Sequence, residues 1–449
     1  MSIVPAHLMR SVGGGYDNES IALTAMCATF WCWVRALRVD SSVPDGVATK
    51  GSYTFGVLCG LCYIYMVAAW GGFVFVLNMI GVHAAALILL GRYTSKLHRA
   101  YTLFYVIGTF GAIQVPVVGW GPLKSLEQLA PLLVFVGMQG LEYCEVQRRK
   151  RNLTMLQHQL LRVKVAIPVL AVVVAVVAVL YPTGYFGPLS ARVRGLFVKH
   201  TRTGNPLVDS VAEHQPANAQ AYQQYLHHIY YLAPVGFGLS FLTATDSNSF
   251  LVLYSLVAYY FSNRMARLVI LLGPVASALG GVAVGVALDQ LIIYASGRLF
   301  LSLAFGSPTA DTDDELEPPP PPPKAADKKK NGKAKADKES PTDQLAASAT
   351  NIKKAALTLY NLRLSLLLRI GLGVWAINWV LPHHKAFQKY SNEIAESLSQ
   401  PSIMFKARLN NGREIMVDDY REAYWWLRDH TPQDARVMAW WDYGYQIAG

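Results

Sequence analysis

Charged residues are scarce in this sequence. Only 15% of the 449 residues are Asp, Glu, Lys or Arg, whereas an ordinary globular chain carries roughly 25%. The shortage is concentrated in long apolar runs, such as residues 165–181, which contain no charge at all. Because a helix of about 20 apolar residues crosses a bilayer with its backbone polar groups satisfied, these runs predict a polytopic membrane protein.

Apolar runs of this kind recur along the chain and predict an all-α membrane domain of about ten transmembrane helices. The predicted spans lie near residues 20–37, 52–69, 72–91, 100–119, 128–146, 165–181, 229–245, 249–262, 268–295 and 364–382.

A secretory signal is also lacking, because residues 1–18 show no basic cluster followed by an apolar core. Cysteine is rare, and all five cysteines lie inside predicted spans. Two of them form the sequence Cys59-Gly-Leu-Cys62, which has the spacing of a redox motif. Its place within an apolar helix favours buried thiols, with redox chemistry as the alternative.

Lys and Arg are unevenly shared among the loops, and this predicts the orientation of the chain. Basic loops follow the first, third, fifth and ninth predicted spans, including Arg148-Arg149-Lys150-Arg151. Since basic loops face the cytosol, ten spans place both termini on the luminal or exterior side. The membrane therefore explains the net charge of +11 better than nucleic-acid binding does.

The composition divides the chain into four parts. Residues 1–303 form the transmembrane core, with a long luminal loop at 183–228. Residues 304–355 join an acidic run, six prolines and a Lys-rich run, which predicts a disordered cytosolic linker. A docking site for an SH3-like or anionic-lipid partner is the alternative interpretation. Residues 356–382 contain the last transmembrane helix.

Residues 383–449 are more polar and predict the start of a luminal mixed α/β domain. Residues 418–430 have the pattern of an amphipathic helix, and residues 436–440 that of a strand entering a turn. The sequence ends at Gly449 before such a domain could close. We therefore expect this part to be truncated.

Acidic residues precede the first predicted span. Asp17 and Glu19 stand two residues apart and could reach one hard cation, with Arg10 nearby. Acidic residues also favour helix N-termini, so from composition alone helix capping is the favoured interpretation and metal binding the alternative.

Three further sites lie on the same predicted side of the membrane. Glu213, in the long luminal loop, could bind an amide substrate or be a solvated acid. Arg264 and Arg267 could bind phosphate or extend to the interface. The string Trp440-Trp441-Asp442-Tyr443-Gly444 could surround a hydroxyl with donors and an acceptor, or form an aromatic cluster.

These motifs together resemble the catalytic subunit of oligosaccharyltransferase, a GT-C-type membrane glycosyltransferase of protein N-glycosylation. The pentapeptide at residues 440–444 looks like the signature of that family. Residues 210–216 (SVAEHQP) resemble its loop motif, and residues 11–19 (SVGGGYDNE) its second acidic motif. Residues 65–72 and 91–97 are also similar to its membrane region.

The resemblance implies a role for each matching residue. Asp17 and Glu19 would hold Mn²⁺ or Mg²⁺, with Arg10 supporting that site, and Glu213 would contact the amide of the acceptor asparagine. The hydroxyl of the Ser or Thr in the acceptor sequence (the sequon) would bind to Trp440, Trp441 and Asp442. The lipid-linked donor would bind to Arg267 and Tyr445.

The resemblance also implies partners and a location. The expected partners are a dolichyl diphosphate oligosaccharide, a polypeptide with Asn-x-Ser/Thr, the bilayer and other subunits of the enzyme, in the endoplasmic reticulum membrane. The family usually has thirteen spans and a further metal-binding aspartate in its first luminal loop. We find no residue here for that role, so we expect a fragment that is inactive alone.

Three other interpretations remain. A related mannosyltransferase would share the spans and a luminal acidic motif, but it would lack the Trp-Trp-Asp-Tyr-Gly string. A secondary transporter would show internal repeats and ionisable residues near span centres. A fragment without any activity is the last alternative.

Overall fold

The structure is a computed structural model that describes residues 3–12, 17–38, 46–186, 213, 215–242, 245–304, 356–399, 403–408, 413–439 and 443–448. The chain divides into two units. The first comprises Met1–Gly280 and Phe387–Gly449, and the second comprises Gly281–Ala386.

Helices dominate the described residues. In chain order they are α1 (Pro5–Leu8), α2 (Asn18–Ala36), α3 (Lys50–Ala69), α4 (Phe73–Leu89), α5 (Ser95–Gln114), α6 (Gly121–Lys124), α7 (Leu129–Arg151), α8 (Met155–Leu180), α9 (Ala219–Leu226), α10 (Ile229–Ser240), α11 (Asp246–Arg264), α12 (Val269–Leu288), α13 (Tyr294–Ala304), α14 (Arg363–Ser399), α15 (Asp419–His430) and α16 (Gly444–Ala448). Short 3₁₀ turns occupy Leu126–Gln128 and Ala266–Leu268, and a π-helical segment occupies Asp289–Ile293.

Each of the ten predicted spans overlaps one of these helices, and the helical membrane architecture is confirmed at that level. Five helical segments among the described residues are long and apolar enough to cross a membrane. They are Lys50–Ala69, Leu126–Arg151, Met155–Leu180, Ala266–Ala304 and Arg363–Ser399. Two further apolar helices, α4 and α10, are shorter. The count of ten spans and the luminal position of both termini stay predictions.

The core of the first unit is built around α2, α3 and α5. The side chains of Trp33, Tyr63 and Phe104 are almost completely buried there. Glycines let the backbones of α3 and α5 approach, since a Cβ atom added at Gly60 would lie only 2.9 Å from the Cβ of Ile107. Trp33 of α2 packs against Phe104 of α5, with ring centroids 6.3 Å apart, and this contact positions α2, which carries Glu19.

Three of the five cysteines, Cys32, Cys59 and Cys144, are buried, and Cys27 and Cys62 are partly buried. All five are free thiols, and Cys59 is completely buried. Its Sγ donates to the carbonyl oxygen of Thr29, at 3.3 Å. A thiol bonded to a backbone carbonyl in the interior contributes to packing between α2 and α3.

The second unit contains the end of α12, the π-helical segment, α13 and most of α14. Within it, the Arg369 guanidinium lies over the ring of Tyr360, 3.7 Å from the ring centroid. The Arg363 Nη2 donates to the carbonyl oxygen of Ser302, at 2.8 Å. The predicted linker, residues 304–355, lies outside the described residues except for Ala304.

The polar C-terminal segment contains a small hairpin that the sequence patterns did not predict. Strand β1 (Phe405–Arg408) pairs antiparallel with β2 (Glu414–Val417), with Phe405 opposite Val417. The predicted amphipathic helix is present as α15. The predicted strand at 436–440 is wrong where it is described, because residues 436–439 form neither strand nor helix.

Candidate active site

Asp17 stands directly before α2, with an extended backbone. Its N–H donates to the carbonyl oxygen of Arg10, at 3.1 Å, which brings the two residues together. The Asp17 side chain makes no capping hydrogen bond to the helix. The Asp17 carboxylate therefore does not cap α2, and it can contact other groups.

Glu19 lies in the first turn of α2 and is only 1% exposed. Its Oε1 accepts two hydrogen bonds from Arg267, at 3.1 Å from Nε and 2.7 Å from Nη2. Its Oε2 lies 3.4 Å from the Arg10 Nε, but it is buried without a hydrogen-bond partner among the described residues. Glu19 therefore holds two arginines and keeps one acceptor oxygen unsatisfied.

Arg10 connects all three acidic residues. Its Nη2 donates to Glu213 Oε1 at 2.6 Å, and its Nη1 lies 3.7 Å from Asp17 Oδ2. Burial by itself would lower the pKa of Arg10, but the carboxylates of Glu213, Glu19 and Asp17 outweigh it and raise that pKa. Arg10 is therefore a permanent cation, and these three carboxylates together with Arg10 and Arg267 are called the charge cluster below.

The loop that carries Glu213 is attached to the turn that carries Arg267. The N–H of Ala266 donates to the carbonyl oxygen of Gln215, at 2.8 Å, and Arg267 is the next residue of the 3₁₀ turn. Beside the loop, burial and the Glu213 carboxylate raise the pKa of Tyr225. Tyr225 therefore keeps its proton and can act as a hydrogen-bond donor near the cluster.

The sequence-predicted residues Arg10, Asp17, Glu19, Glu213 and Arg267 are thus brought together. Arg264 is not part of the charge cluster, since its guanidinium lies over the ring of Tyr260, 5.2 Å from the centroid. Trp440, Trp441 and Asp442 lie outside the described residues. Tyr445 is a residue of α16, and the structure describes only its backbone.

The sequence indicated Gln215 only as part of the motif at residues 210–216, and it did not indicate Tyr225, which lies near Glu213. Gln215 acts through its backbone carbonyl, which has no sequence signal. Tyr225 lies on the amphipathic helix α9, where an aromatic residue looks like ordinary packing. The pairing of Arg10 with Glu213 joins residues 203 positions apart, so spacing alone could not find it.

The predicted metal ligands are compatible with a hard cation in chemical type. Carboxylate oxygens are the ligands that Mg²⁺ and Mn²⁺ favour, and Glu19 Oε2 is a buried acceptor with no hydrogen-bond partner among the described residues. Within the described part of the chain, no group of three or more His, Cys, Asp or Glu residues is arranged to hold a metal ion. Asp17 and Glu19 would supply only part of a coordination shell.

Comparison with known proteins identifies the family. The family profile described as "Oligosaccharyl transferase STT3, N-terminal" matches residues 1–279. The chain belongs to the STT3 family. Relatives at 33% identity are subunits named dolichyl-diphosphooligosaccharide–protein glycosyltransferase STT3 from Dictyostelium discoideum, Schizosaccharomyces pombe and Caenorhabditis elegans. These matches cover 100% of this chain but 52–54% of the relatives, so the chain spans about half the length of the family members it matches.

Solved structures share the fold. The chain is similar to the archaeal oligosaccharyltransferase AglB from Archaeoglobus fulgidus in complex with an inhibitory peptide and a dolichol-phosphate, with a TM-score of 0.55 and 14% identity. The apo form gives a TM-score of 0.56. Both matches cover 99% of this chain and 48% of the archaeal protein. This chain therefore shares its fold with about half of AglB.

Proposed function

We propose that this chain forms the membrane half of an oligosaccharyltransferase site. In the proposed reaction, an oligosaccharide passes from a dolichyl diphosphate donor to the asparagine of an Asn-x-Ser/Thr sequence. The new bond joins the asparagine amide nitrogen to the anomeric carbon, and the diphosphate leaves. The observation that supports this most directly is the charge cluster, whose cations and carboxylates suit the two ends of that reaction.

The donor end is assigned to Arg267. A guanidinium can bind two phosphate oxygens at once, because its N–H groups form a planar fork. Arg267 is one-third exposed, which leaves part of its fork accessible while Glu19 holds the rest. We infer that it contacts the diphosphate, with Tyr445 as a further donor contact.

The acceptor end is assigned to Glu213. It is the most exposed of the three cluster carboxylates, with 38% of its side chain accessible, compared with 15% for Asp17 and 1% for Glu19. A carboxylate that accepts an amide N–H localises the nitrogen lone pair and makes a poor nucleophile more reactive. Trp440, Trp441 and Asp442 would bind the hydroxyl of the Ser or Thr two positions further along.

A divalent cation, Mn²⁺ or Mg²⁺, would be held by Asp17 and Glu19, and it would neutralise charge on the departing diphosphate. Arg10 orients these carboxylates through its contacts with both of them. The AglB complexes with a dolichol-phosphate and with a tethered peptide containing an NVT sequon support the same ligand classes. We place the enzyme in the endoplasmic reticulum membrane, with other subunits among its partners.

Donor binding tests the assignment of Arg267. The full 449-residue chain is placed in nanodiscs, and binding of a fluorescent dolichyl diphosphate oligosaccharide is titrated. Loss of a bidentate phosphate contact in R267Q should weaken binding at least about tenfold. The matched control is R264Q, which removes an arginine three residues away that lies outside the cluster. Equal weakening in both variants, or no weakening in R267Q, would contradict the assignment.

Peptide transfer is measured in the same preparation with Mn²⁺ and a labelled Asn-x-Thr peptide. We expect no transfer by this chain alone. The reason is that the resemblance implies a metal-binding aspartate that we do not find in this sequence. Steady turnover by the purified chain would refute it. The assignment of Arg267 to donor binding would still be tested separately, by comparing R267Q with R264Q.

A further inference from the structure

A second polar cavity lies away from the charge cluster, beside the turn between α7 and α8. Its volume is about 540 Å³, within the usual range of about 300–1,000 Å³ for small-ligand sites. Residues of four segments line it: the turn between α4 and α5, the end of α7, the start of α8 and the turn before α3. We call it the α7–α8 pocket.

Positive charge dominates the α7–α8 pocket. Three arginines line it, Arg148, Arg149 and Arg162, against one carboxylate, Glu145. Glu145 is shared, since it lies 3.5 Å from Arg148 Nη1 and 3.3 Å from Arg149 Nε. One carboxylate cannot neutralise three guanidinium groups, so the pocket keeps a positive field that suits an anion.

A buried histidine provides the second observation. His158 lines the pocket, and its side chain is only 1% exposed. Its Nε2 lies 3.6 Å from Glu145 Oε2, which is beyond hydrogen-bond distance. Neither ring nitrogen has a hydrogen-bond partner among the described residues, and the same is true of the buried Arg162 Nε. Buried polar atoms in folded proteins normally have partners. Unsatisfied polar atoms at a basic cavity therefore point to a ligand that would accept their hydrogen bonds.

Helix electrostatics alone does not explain this arrangement. Arg148 and Arg149 stand in the last turn of α7, where basic residues favour the negative end of the helix dipole. His158 lies at the end of the first turn of α8 and Arg162 one turn further on, so a favourable interaction with the helix dipole does not account for either residue. The predicted cytosolic position of this loop accounts for basic residues in it, but it does not account for the buried unsatisfied nitrogens of His158 and Arg162, which point to an external anion.

We propose that the α7–α8 pocket binds the phosphate group of an anionic membrane lipid. Its place at the polar ends of two apolar helices is where a lipid headgroup lies. The rim carries the exposed apolar side chains of Met155 and Val47, and Leu156 and Leu160 lie exposed along α8. The acyl chains would run along this apolar surface while the phosphate meets the arginines.

The first experiment compares matched charge removals. The full chain is placed in phosphatidylcholine nanodiscs containing a few mole per cent of a fluorescent phosphatidylinositol phosphate, and lipid binding is read by energy transfer from a dye on the chain. The pocket variant R148Q/R162Q should bind about tenfold more weakly. The control K150Q/R151Q also removes two positive charges, from residues that adjoin Arg148 and Arg149 in the basic run but do not line the pocket. Equal weakening in the two variants would overturn the proposal, as would unchanged binding in the pocket variant.

A second variant separates binding from folding. E145Q removes the carboxylate that competes for Arg148 and Arg149, so it should bind the lipid severalfold more tightly, which a misfolded protein cannot do. Weaker or unchanged binding by E145Q would count against the site. The last arm adds inorganic phosphate at the lipid concentration. Failure to compete supports a lipid ligand, whereas equal competition would show a free-phosphate site and overturn the lipid assignment.

Discussion

Glu19 is the residue on which the charge cluster depends. It is the least exposed of the three carboxylates, and it contacts two arginines that lie far apart in sequence, Arg10 and Arg267. A buried acid that compensates two cations is difficult to replace, because its loss leaves charge in a partly dry environment. The structural role of Glu19 is therefore separable from its proposed role as a metal ligand.

We expect E19Q to lower the free energy of unfolding by about 2 kcal/mol, since both Arg10 and Arg267 lose a charged partner. The matched variant E213Q removes a more exposed carboxylate that also pairs with Arg10. Its loss should be below about 1 kcal/mol. Thermal unfolding of the purified proteins in detergent measures both, and equal losses would contradict the burial argument.

His7 responds to pH through its burial. It lies on α1, against the backbone of Gly273, and burial lowers its pKa to about 4 from an ordinary value of 6.5. Between these two values the unfolded chain binds more protons than the folded chain. The contribution of neutral His7 to the free energy of unfolding is therefore fully present above pH 6.5. It declines as the pH falls towards 4, by at most about 1.4 kcal/mol per pH unit.

The variant H7Q tests this directly. Its melting temperature should fall less between pH 7 and pH 5 than that of the unchanged chain, because the titrating group is gone. The difference between the two slopes is the measured quantity, which removes the contribution of the carboxylates common to both proteins. Identical slopes would show that His7 does not titrate on unfolding.

At the scale of elements, the close approach of α3 and α5 allows a direct test of helix packing. A methyl group added at Gly60 would meet Ile107 at 2.9 Å, whereas one added at Gly137 of α7 meets nothing within 4 Å. G60A should therefore destabilise the protein by about 1–3 kcal/mol. G137A should be neutral or stabilising by up to about 1 kcal/mol, because alanine favours helix. Equal melting temperatures for the two variants would contradict the close approach.

Element positions were predictable from the sequence to the extent that hydrophobic runs dictate them. Each of the ten predicted spans overlaps a helix of the described residues, and the amphipathic pattern before Thr431 forms α15. The strand expected at 436–440 failed because alternation over so few residues carries little information. The hairpin of β1 and β2 escaped prediction for the same reason, since each strand has only four residues.

The candidate site was predictable as a set of residues but not as a geometry. Motif resemblance identified Arg10, Asp17, Glu19, Glu213 and Arg267, and these five do converge. It did not reveal that Arg10 pairs with Glu213 or that Arg267 donates twice to Glu19. Those contacts depend on how α2 and the Arg267 turn pack, and no local pattern records that packing.

For the whole molecule, the distribution of basic residues predicts sidedness. The run 148–151 and the Lys-rich stretch 324–338 would face the cytosol, with both termini in the lumen. The prediction is tested by epitope tags at each terminus and within residues 324–338, in sealed microsomes treated with protease. We expect the terminal tags to be protected and the internal tag to be digested, and all three to be lost after detergent. Digestion of a terminal tag in sealed microsomes would contradict the orientation.

The hydrogen bond from the Ala266 N–H to the Gln215 carbonyl has a consequence for the order of ligand binding. It joins the segment that would meet the peptide to the turn that would meet the diphosphate. If a peptide displaces that segment, the turn holding Arg267 loses a fixed backbone partner. By thermodynamic reciprocity, a donor that immobilises the turn must then change the affinity for the peptide by the same factor. A single main-chain hydrogen bond would thus couple the binding of the two substrates.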